Sequence, residues 1–345
     1  MSKIETMIKN REIRTFLFLI ALFIIVGFVN SEFMSIGNMQ NSLKSSLLYI
    51  VLAVGLTFVL LTGNIDISIG GTLGLSAAVS GLILKDGGSI IFAIFVAIFI
   101  GALVGLINGL GVTKLKISSF IMTLGMLEIT RVVQVIYTDG KWIENLPVAY
   151  KNLSQVEVAG VNVLMLSVLI GVLVVHFYLS KSRKGRYFSA IGDNLDGAIL
   201  LGVPVQRYVT YSFILSGICS ALAGLIFASQ VGFISTNAGL GVEMTVIAAA
   251  VLGGVSLSGG IGSVIGASIG AIIMISINSA LVYMKIPAFW NDAISGALLI
   301  TIVVTDATLN RRTEKRTKKE RMRARVLQDP EPRVLPEEVS IIYDK

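Results

Sequence analysis

Acidic side chains inside apolar stretches are the residues of this sequence best suited to chemistry. Asp66 is the one charge in the segment 63–71 (GNIDISIGG), which separates two apolar runs. Broken backbone at bilayer depth is tolerated only where protein buries it or where it lines a cavity, and intramembrane acids are candidates for function. Asn64, Asp66 and Ser68 are therefore predicted to line a path for a polar solute. The alternative is that Asp66 only caps the following helix.

A second group of charges lies in later apolar runs. Glu128 and Arg131 are three residues apart in the run 117–136, so they share one face of a predicted helix. The spacing predicts a mutual ion pair that orients the outer half of this helix, and contact with a solute is the alternative. Glu243 begins another apolar run and is predicted to be a negative charge at a helix N-terminus.

Side chains for metal binding or catalysis are scarce. His176 and Cys219 are the only residues of their types, so neither an internal disulfide nor a cysteine-based metal site can form. No G-x-x-x-x-G-K-[ST] loop occurs. We therefore predict no catalytic residue, metal or cofactor, and a membrane-embedded enzyme is the least favoured class. If ATP drives a process here, another chain must hydrolyse it.

The elements that position these residues are membrane helices. Of the 345 residues, 54% are apolar and 14% charged, and the mean hydropathy is +0.83, which is typical of a polytopic, all-α membrane protein. Because a helix needs about 20 apolar residues to cross a bilayer, ten spans are predicted. They are 15–30, 45–62, 69–84, 90–113, 117–136, 161–180, 208–229, 242–256, 262–283 and 289–305, of which the third, eighth and tenth are short.

The distribution of basic residues predicts the orientation. With ten spans and the N-terminus inside, 22 of the 28 lysines and arginines fall on the cytoplasmic side, as the positive-inside rule requires. Both termini are therefore predicted to be cytoplasmic. Residues 1–305 form the transmembrane domain and 306–345 a charged tail. The basic stretch 311–325 suits anionic lipid headgroups or an acidic partner, and no nucleic-acid partner is predicted.

A weak internal repeat relates two groups of helices, about 45–136 and 208–305. Ile100-Gly101-Ala102 matches Ile269-Gly270-Ala271, for example, at an offset of roughly 170 residues. Five spans separate the copies, so one copy is inverted, and inverted repeats are typical of transporters. Chance similarity between glycine-rich helices is the alternative. Glycines also recur four apart at 101, 105 and 109 and at 262, 266 and 270, which favours close helix packing.

The longest polar interruption is the segment 181–207. Its middle predicts a short helix that Asn194 or Asp196 caps, with Gly202 following its end and Pro204 stopping it. The apolar side chains of Ile199, Leu200 and Leu201 lie between polar flanks. The segment is thus either a docking helix for another protein or a plain cytoplasmic loop.

Four motifs in order resemble the permeases of ribose-type ABC importers, a family that includes autoinducer-2 permeases. They are GNIDISIGG (63–71), ISSFIMTLGMLEITR (117–131), GRYFSAIGDNLDGAILLGV (185–203) and VIAAAVLGGVSLSGGIGSVIGA (246–267). The resemblance covers nearly all of residues 15–305. It implies a permease in the plasma (inner) membrane of a bacterium that carries a monosaccharide or a similar small polar solute.

The resemblance also implies partners and sites. The partners are an ABC ATPase, an extracytoplasmic sugar-binding protein, a second permease copy and the lipid bilayer. The segment 181–207 becomes the loop that couples the chain to the ATPase, and the glycine-rich turn 253–260, with Ser256 and Ser258, falls near the pathway. The coupling residues are Arg186, Gly192, Asn194, Asp196, Ile199, Leu200, Leu201 and Gly202. An ion-coupled secondary carrier is the alternative function, although it would favour more buried carboxylates than this sequence offers.

Overall fold

The computed structural model describes residues 11–158 and 160–287, and scattered helical positions between 290 and 304. Contacts divide the chain into one unit of residues 1–302 and another of 303–345. Every element named below belongs to the first unit. The predicted charged tail 306–345 lies outside the described residues, so its separation from the transmembrane domain stays a prediction.

The described chain is almost entirely helical. Its helices are α1 (Arg11–Val29), α2 (Ile36–Leu61), α3 (Ile69–Lys85), α4 (Ile90–Thr113), α5 (Ser119–Tyr137), α6 (Val148–Asn152), α7 (Val163–Lys181), α8 (Arg183–Asp193), α9 (Leu195–Leu200), α10 (Val205–Val231), α11 (Val242–Leu252) and α12 (Val264–Tyr283), with a 3₁₀ turn at Ser31–Met34. A two-stranded ribbon of β1 (Glu157–Val158) and β2 (Val161–Asn162) precedes α7. The all-α membrane class is confirmed.

Within the part of the chain that the structure describes, six helices are long and apolar enough to cross a bilayer, namely α2, α4, α5, α7, α10 and α12. Shorter apolar helices correspond to the predicted first, third and eighth spans. The predicted tenth span, 289–305, lies largely outside the described residues, so the count of ten stays a prediction. Helix α2 begins nine residues earlier than predicted, because the Ser35 side chain accepts a hydrogen bond from Asn38 N and caps it. Lys44, assigned to a loop by the sequence, therefore lies within α2.

Helix α10 lies at the centre and packs against α2, α3 and α4. Its approach to α4 depends on small residues, because a Cβ at Gly101 or Gly105 would collide with the α10 backbone at Gly217 and Phe213. Gly266 and Gly270 likewise bring α12 against α11. In lipid, such close approach is what allows helices to associate through packing. The close packing predicted from these glycines is confirmed, whereas the inverted repeat stays a prediction.

Candidate functional site

The segment between α2 and α3 is non-helical, as its sequence predicts. Gly63 has a φ of +74°, a left-handed conformation that glycine adopts readily. Two hydroxyl groups of α5 accept hydrogen bonds from this backbone: Ser119 Oγ from Ile65 N at 3.2 Å, and Thr123 Oγ1 from Ile67 N at 3.1 Å. These bonds satisfy amide groups that would otherwise be unpaired at bilayer depth. Asn64, a predicted path residue, bonds locally to Thr62 Oγ1 at 3.0 Å.

Asp66 is buried, with 1% of its surface exposed. One carboxylate oxygen accepts hydrogen bonds from Ser68 N at 3.0 Å and from Ser68 Oγ at 2.6 Å. The other accepts from Ser216 Oγ of α10 at 2.7 Å. Ser68 occupies the N-cap position of α3, so Asp66 stabilises the turn before the helix. Asp66 thereby links the broken segment to α10.

Asn108 of α4 extends this polar cluster. Its Nδ2 donates to Ser68 Oγ at 2.9 Å, and among the described residues its Oδ1 has no hydrogen-bond partner. Neither Asn108 nor Ser216 was predicted from the sequence. An asparagine inside an apolar span is costly in lipid and was a usable signal, but a serine in a membrane helix is too common to single out.

The glycine-rich turn 253–260 meets the end of α2 and the end of α8. Gly260 N donates to Leu61 O at 3.0 Å, and a Cβ at Gly259 would fall 2.8 Å from Gly63 Cα and 2.9 Å from Gly192 Cα. Three backbones therefore meet here without intervening side chains. Gly192, predicted as a coupling residue, is half-buried and belongs to this junction.

The two predicted path serines of this turn differ in their surroundings. Ser256 is 4% exposed, and its hydroxyl accepts a hydrogen bond from Ser258 N at 3.3 Å. Ser258 is exposed. Ser258 is thus accessible at the surface of the turn, whereas Ser256 stabilises the turn through its hydrogen bond.

A chain of charges crosses from α5 to α11. Arg131 contacts Glu128 at 3.1 Å, as predicted, and also contacts Glu243 at 2.8 Å. The Glu243 side chain is 6% exposed and the Glu128 side chain 64% exposed. Glu243 lies in the first turn of α11, which confirms that prediction, but its bond to Arg131 joins residues 112 positions apart and was not predicted.

Glu243 also packs against the start of α3. A Cβ at Gly70 would collide with Glu243 Oε2, and this oxygen has no hydrogen-bond partner among the described residues. The carboxylate thus sits beside two helix N-termini and one guanidinium, all of which favour negative charge. Arg131 is eight residues beyond Thr123, which is about 12 Å along α5. The charge chain and the Asp66 cluster share no hydrogen bond among the described residues, and they are connected through α5 and α3.

The polar segment 181–207 is mostly helical. Asn194 is the cap of α9, because its Oδ1 accepts from Gly197 N at 2.8 Å, and Asp196 lies in the first turn. Gly202 follows the helix with a φ of +74°. The short helix, its stop and one of the two suggested caps are thus confirmed.

The segment also contains α8, which was not predicted from the sequence. Phe188 of α8 is 1% exposed and lies edge-to-face against Phe58 and Tyr208, with ring centroids 5.2 and 5.3 Å apart. Arg186 points away from this core and is exposed. Buried residues at 185, 188 and 191 were the periodic signal for this helix. The segment is therefore helical and anchored to the core, which leaves both the docking role and the purely topological role open.

Three consecutive apolar side chains project from this segment. Ile199 is 56% exposed, Leu200 87% and Leu201 84%. Ala198, by contrast, is buried at 3% and fixes the inner side of α9. Adjacent large apolar side chains that are this exposed are a feature of interaction sites, so docking stays a prediction for this segment. We call Ile199, Leu200 and Leu201 the apolar tip.

Sequence comparison relates the chain to known transport proteins. Residues 38–303 match a family described as branched-chain amino acid transport system / permease component. Autoinducer 2 import system permease protein LsrC of Enterobacter sp. (strain 638) is 43% identical over 305 residues, covering 88% of this chain and 89% of that protein. The protein of the same name from Escherichia coli (strain K12 / DH10B) is 41% identical over 327 residues, 95% of each chain. That of Salmonella typhi is 40% identical over 323 residues, 94% and 93%. No solved structure is significantly similar.

Proposed function

The chain belongs to the family of transport-system permease components, and from that premise we propose that it forms the membrane path of an ABC importer for autoinducer 2. Membership in this family favours a permease over an ion-coupled secondary carrier. The observation that carries the solute assignment is the shared name of the relatives described above, whose similarity runs along most of the chain. Autoinducer 2 fits the class of small polar solutes expected from the sequence.

The apolar tip is the proposed contact with a separate ATPase. A short capped helix with apolar side chains suits a groove on a partner, as in other helix-in-groove complexes. Leu200 and Leu201 have little contact with their own chain, which supports a role in binding another molecule. Arg186, Asp193 and Asp196 are exposed nearby and would form the polar rim of this contact.

The junction at Gly192 supports a route by which movement of the ATPase could change the conformation of the membrane path. Because α8 touches Leu61 and Gly260 through backbone atoms, a displacement of α8 by the ATPase reaches both the broken segment and the glycine-rich turn directly. Both segments are non-helical and therefore suited to changing conformation. In the proposed cycle, ATP-driven closure shifts this junction and switches the path between its outward and inward states.

The proposed path runs along the exposed face of α5. Glu128 belongs to a membrane-length helix, yet its side chain is 64% exposed. A carboxylate at this depth is costly against acyl chains, so this face would meet water in a path or a second permease copy. Arg131 and Glu128 would contact the solute, while Asp66, through Ser216, would keep the inner wall rigid. An extracytoplasmic binding protein would deliver the solute at the outer end.

The proposed orientation places α8 and α9 in the cytoplasm, as the basic residues around them favour. A cysteine at Lys151 should then react with a membrane-impermeant maleimide added to intact cells, and one at Lys184 should not. Both variants are made in a Cys219→Ser background, since Cys219 is the native cysteine. Labelling of position 184 from outside would contradict the orientation and, with it, the docking proposal.

The solute is tested by transport. Cells that carry the remaining subunits of the Escherichia coli import system, but lack its LsrC, receive this chain, and removal of autoinducer 2 from the medium is measured beside uptake of ribose. We expect autoinducer 2 to disappear and ribose to stay outside. If the assembled complex takes up ribose alone, the solute assignment is wrong. If an assembled complex takes up neither, the permease proposal for this chain fails.

A further inference from the structure

A crevice of about 400 Å³ penetrates between the membrane helices α2, α7 and α10, with α6 at one end. On α7 it is lined at positions 164, 167, 168, 171, 172 and 175, a spacing that marks one continuous helix face. Of the residues of α7, only Val168 and Val172 are buried. The crevice is therefore a gap behind a loosely packed helix, and its volume is within the usual range for ligand sites, roughly 300–1,000 Å³.

The polar atoms in the walls are already bonded within the protein. Ser167 Oγ donates to Leu164 O at 2.7 Å, Ser229 Oγ to Tyr150 O at 3.0 Å, and Tyr150 Oη to Leu225 O at 2.8 Å. Burial raises the pKa of the Tyr150 phenol, so this hydroxyl keeps the proton that it donates. A cavity holds water only where several polar partners are free. The bonded walls therefore disfavour water in the crevice.

From this geometry we propose that an acyl chain of a bilayer phospholipid occupies the crevice. The surrounding helices α2, α7 and α10 are long enough to span the membrane, so hydrocarbon is the medium at their depth. An alkyl chain fills an apolar gap without needing hydrogen bonds. The site is distinct from the proposed path, whose charged residues lie on α5.

Occupancy by lipid would also affect α8 and α9, the two helices of the proposed ATPase contact. Helix α7 ends at Lys181 and α8 begins at Arg183. Because a single residue joins them, a shift of α7 also moves the start of α8. An acyl chain between α7 and α10 supports α7 where protein contacts are few. The crevice is thus a lipid site that helps to hold the coupling helices in place.

Photocrosslinking tests the proposal on the full chain. The protein is reconstituted in nanodiscs of phosphatidylethanolamine and phosphatidylglycerol that contain a phospholipid with a diazirine midway along one acyl chain. Adducts are then mapped by mass spectrometry. We expect adducts on Cys219 and Leu222, which line the crevice on α10 behind α7. Adducts no more frequent than on fully buried Phe213 would overturn the proposal.

A matched pair of variants tests the location. A Cβ at Gly171 meets no atom within 4 Å, so Gly171→Phe places a ring in the crevice, and Gly171→Leu is the milder form. Both should lower the adducts on Cys219 several-fold, while adducts on the exposed Phe99 stay unchanged. Val174→Phe adds the same ring to a 61% exposed position of α7 outside the crevice and should change neither. Equal yields of Cys219 adducts in all variants would contradict the proposal. The proposal would also be wrong if the unmodified chain lost its Cys219 adducts when a second permease copy covers the crevice.

Discussion

The double substitution Leu200→Asp with Leu201→Asp tests the apolar tip. Both side chains are more than 80% exposed, so they contribute little packing to their own chain. Exposed substitutions of this kind change the free energy of unfolding by about 0.5 kcal/mol or less. We therefore expect normal insertion and an unchanged melting temperature, and any loss of function must arise from a contact with another molecule.

The expected effect on ATPase binding is large. Residues at the centre of an interface cost about 1–2 kcal/mol or more each when truncated, and each new carboxylate adds a desolvation cost at the contact. The two positions together should weaken binding by at least about 2–4 kcal/mol. Since 1.4 kcal/mol is tenfold in Kd, the loss is roughly 30- to 700-fold. A loss of this size should separate the ATPase from the permease in detergent.

The assay is co-purification of the ATPase with the tagged permease, followed by uptake in cells. The control is Lys184→Gln with Gln206→Asp, which changes the net charge of the same segment by the same amount at two exposed positions outside the tip. We expect the tip variant to lose both ATPase and uptake, and the control to retain them. If the tip variant still binds the ATPase and transports at the parental rate, the segment is only a tether between membrane helices.

Three further substitutions address the polar sites. Arg131→Met leaves the carboxylate of Glu243 buried and unpaired, so it should destabilise the protein by about 3–5 kcal/mol. Glu128→Gln removes an exposed ion pair and should lower the free energy of unfolding by less than about 1 kcal/mol. Equal melting temperatures for the two variants in detergent would refute this ranking. Ser216→Ala removes one hydrogen-bond donor from buried Asp66 and should cost about 1–3 kcal/mol. An unchanged melting temperature would show that this bond does not hold the broken segment to α10.

The segment 181–207 contains one local signal that was read correctly from the sequence and one that was missed. The cap at Asn194 and the stop after Gly202 depend on residues within one helical turn, and they were predicted correctly. Helix α8 was missed because its glycine and basic residues hide a short apolar face. The role of that face depends on long-range contacts, because Phe188 packs against Phe58, 130 positions earlier, and against Tyr208.

At the two polar sites, too, local features were predicted from the sequence and long-range contacts were not. That Asp66 and Glu128 were noteworthy followed from their apolar neighbours in sequence, and the pairing of Glu128 with Arg131 followed from helical spacing. The second contact of Arg131, with Glu243, could not be predicted this way. Any acidic residue on any facing helix would have been an equal candidate, and the sequence holds no local mark of which helices are neighbours.

The sequence alone determined the membrane class, the positions of most apolar helices and the presence of the capped helix α9, because hydropathy, length and capping act over a few consecutive residues. Only the tertiary structure decided that Ser216 binds Asp66 across 150 positions, that Gly192 meets Leu61 and Gly260, and that a crevice remains behind α7. Each of these depends on how helices with similar apolar surfaces pack together. In lipid that packing follows from the shapes of facing surfaces, which the order of residues along one chain does not display.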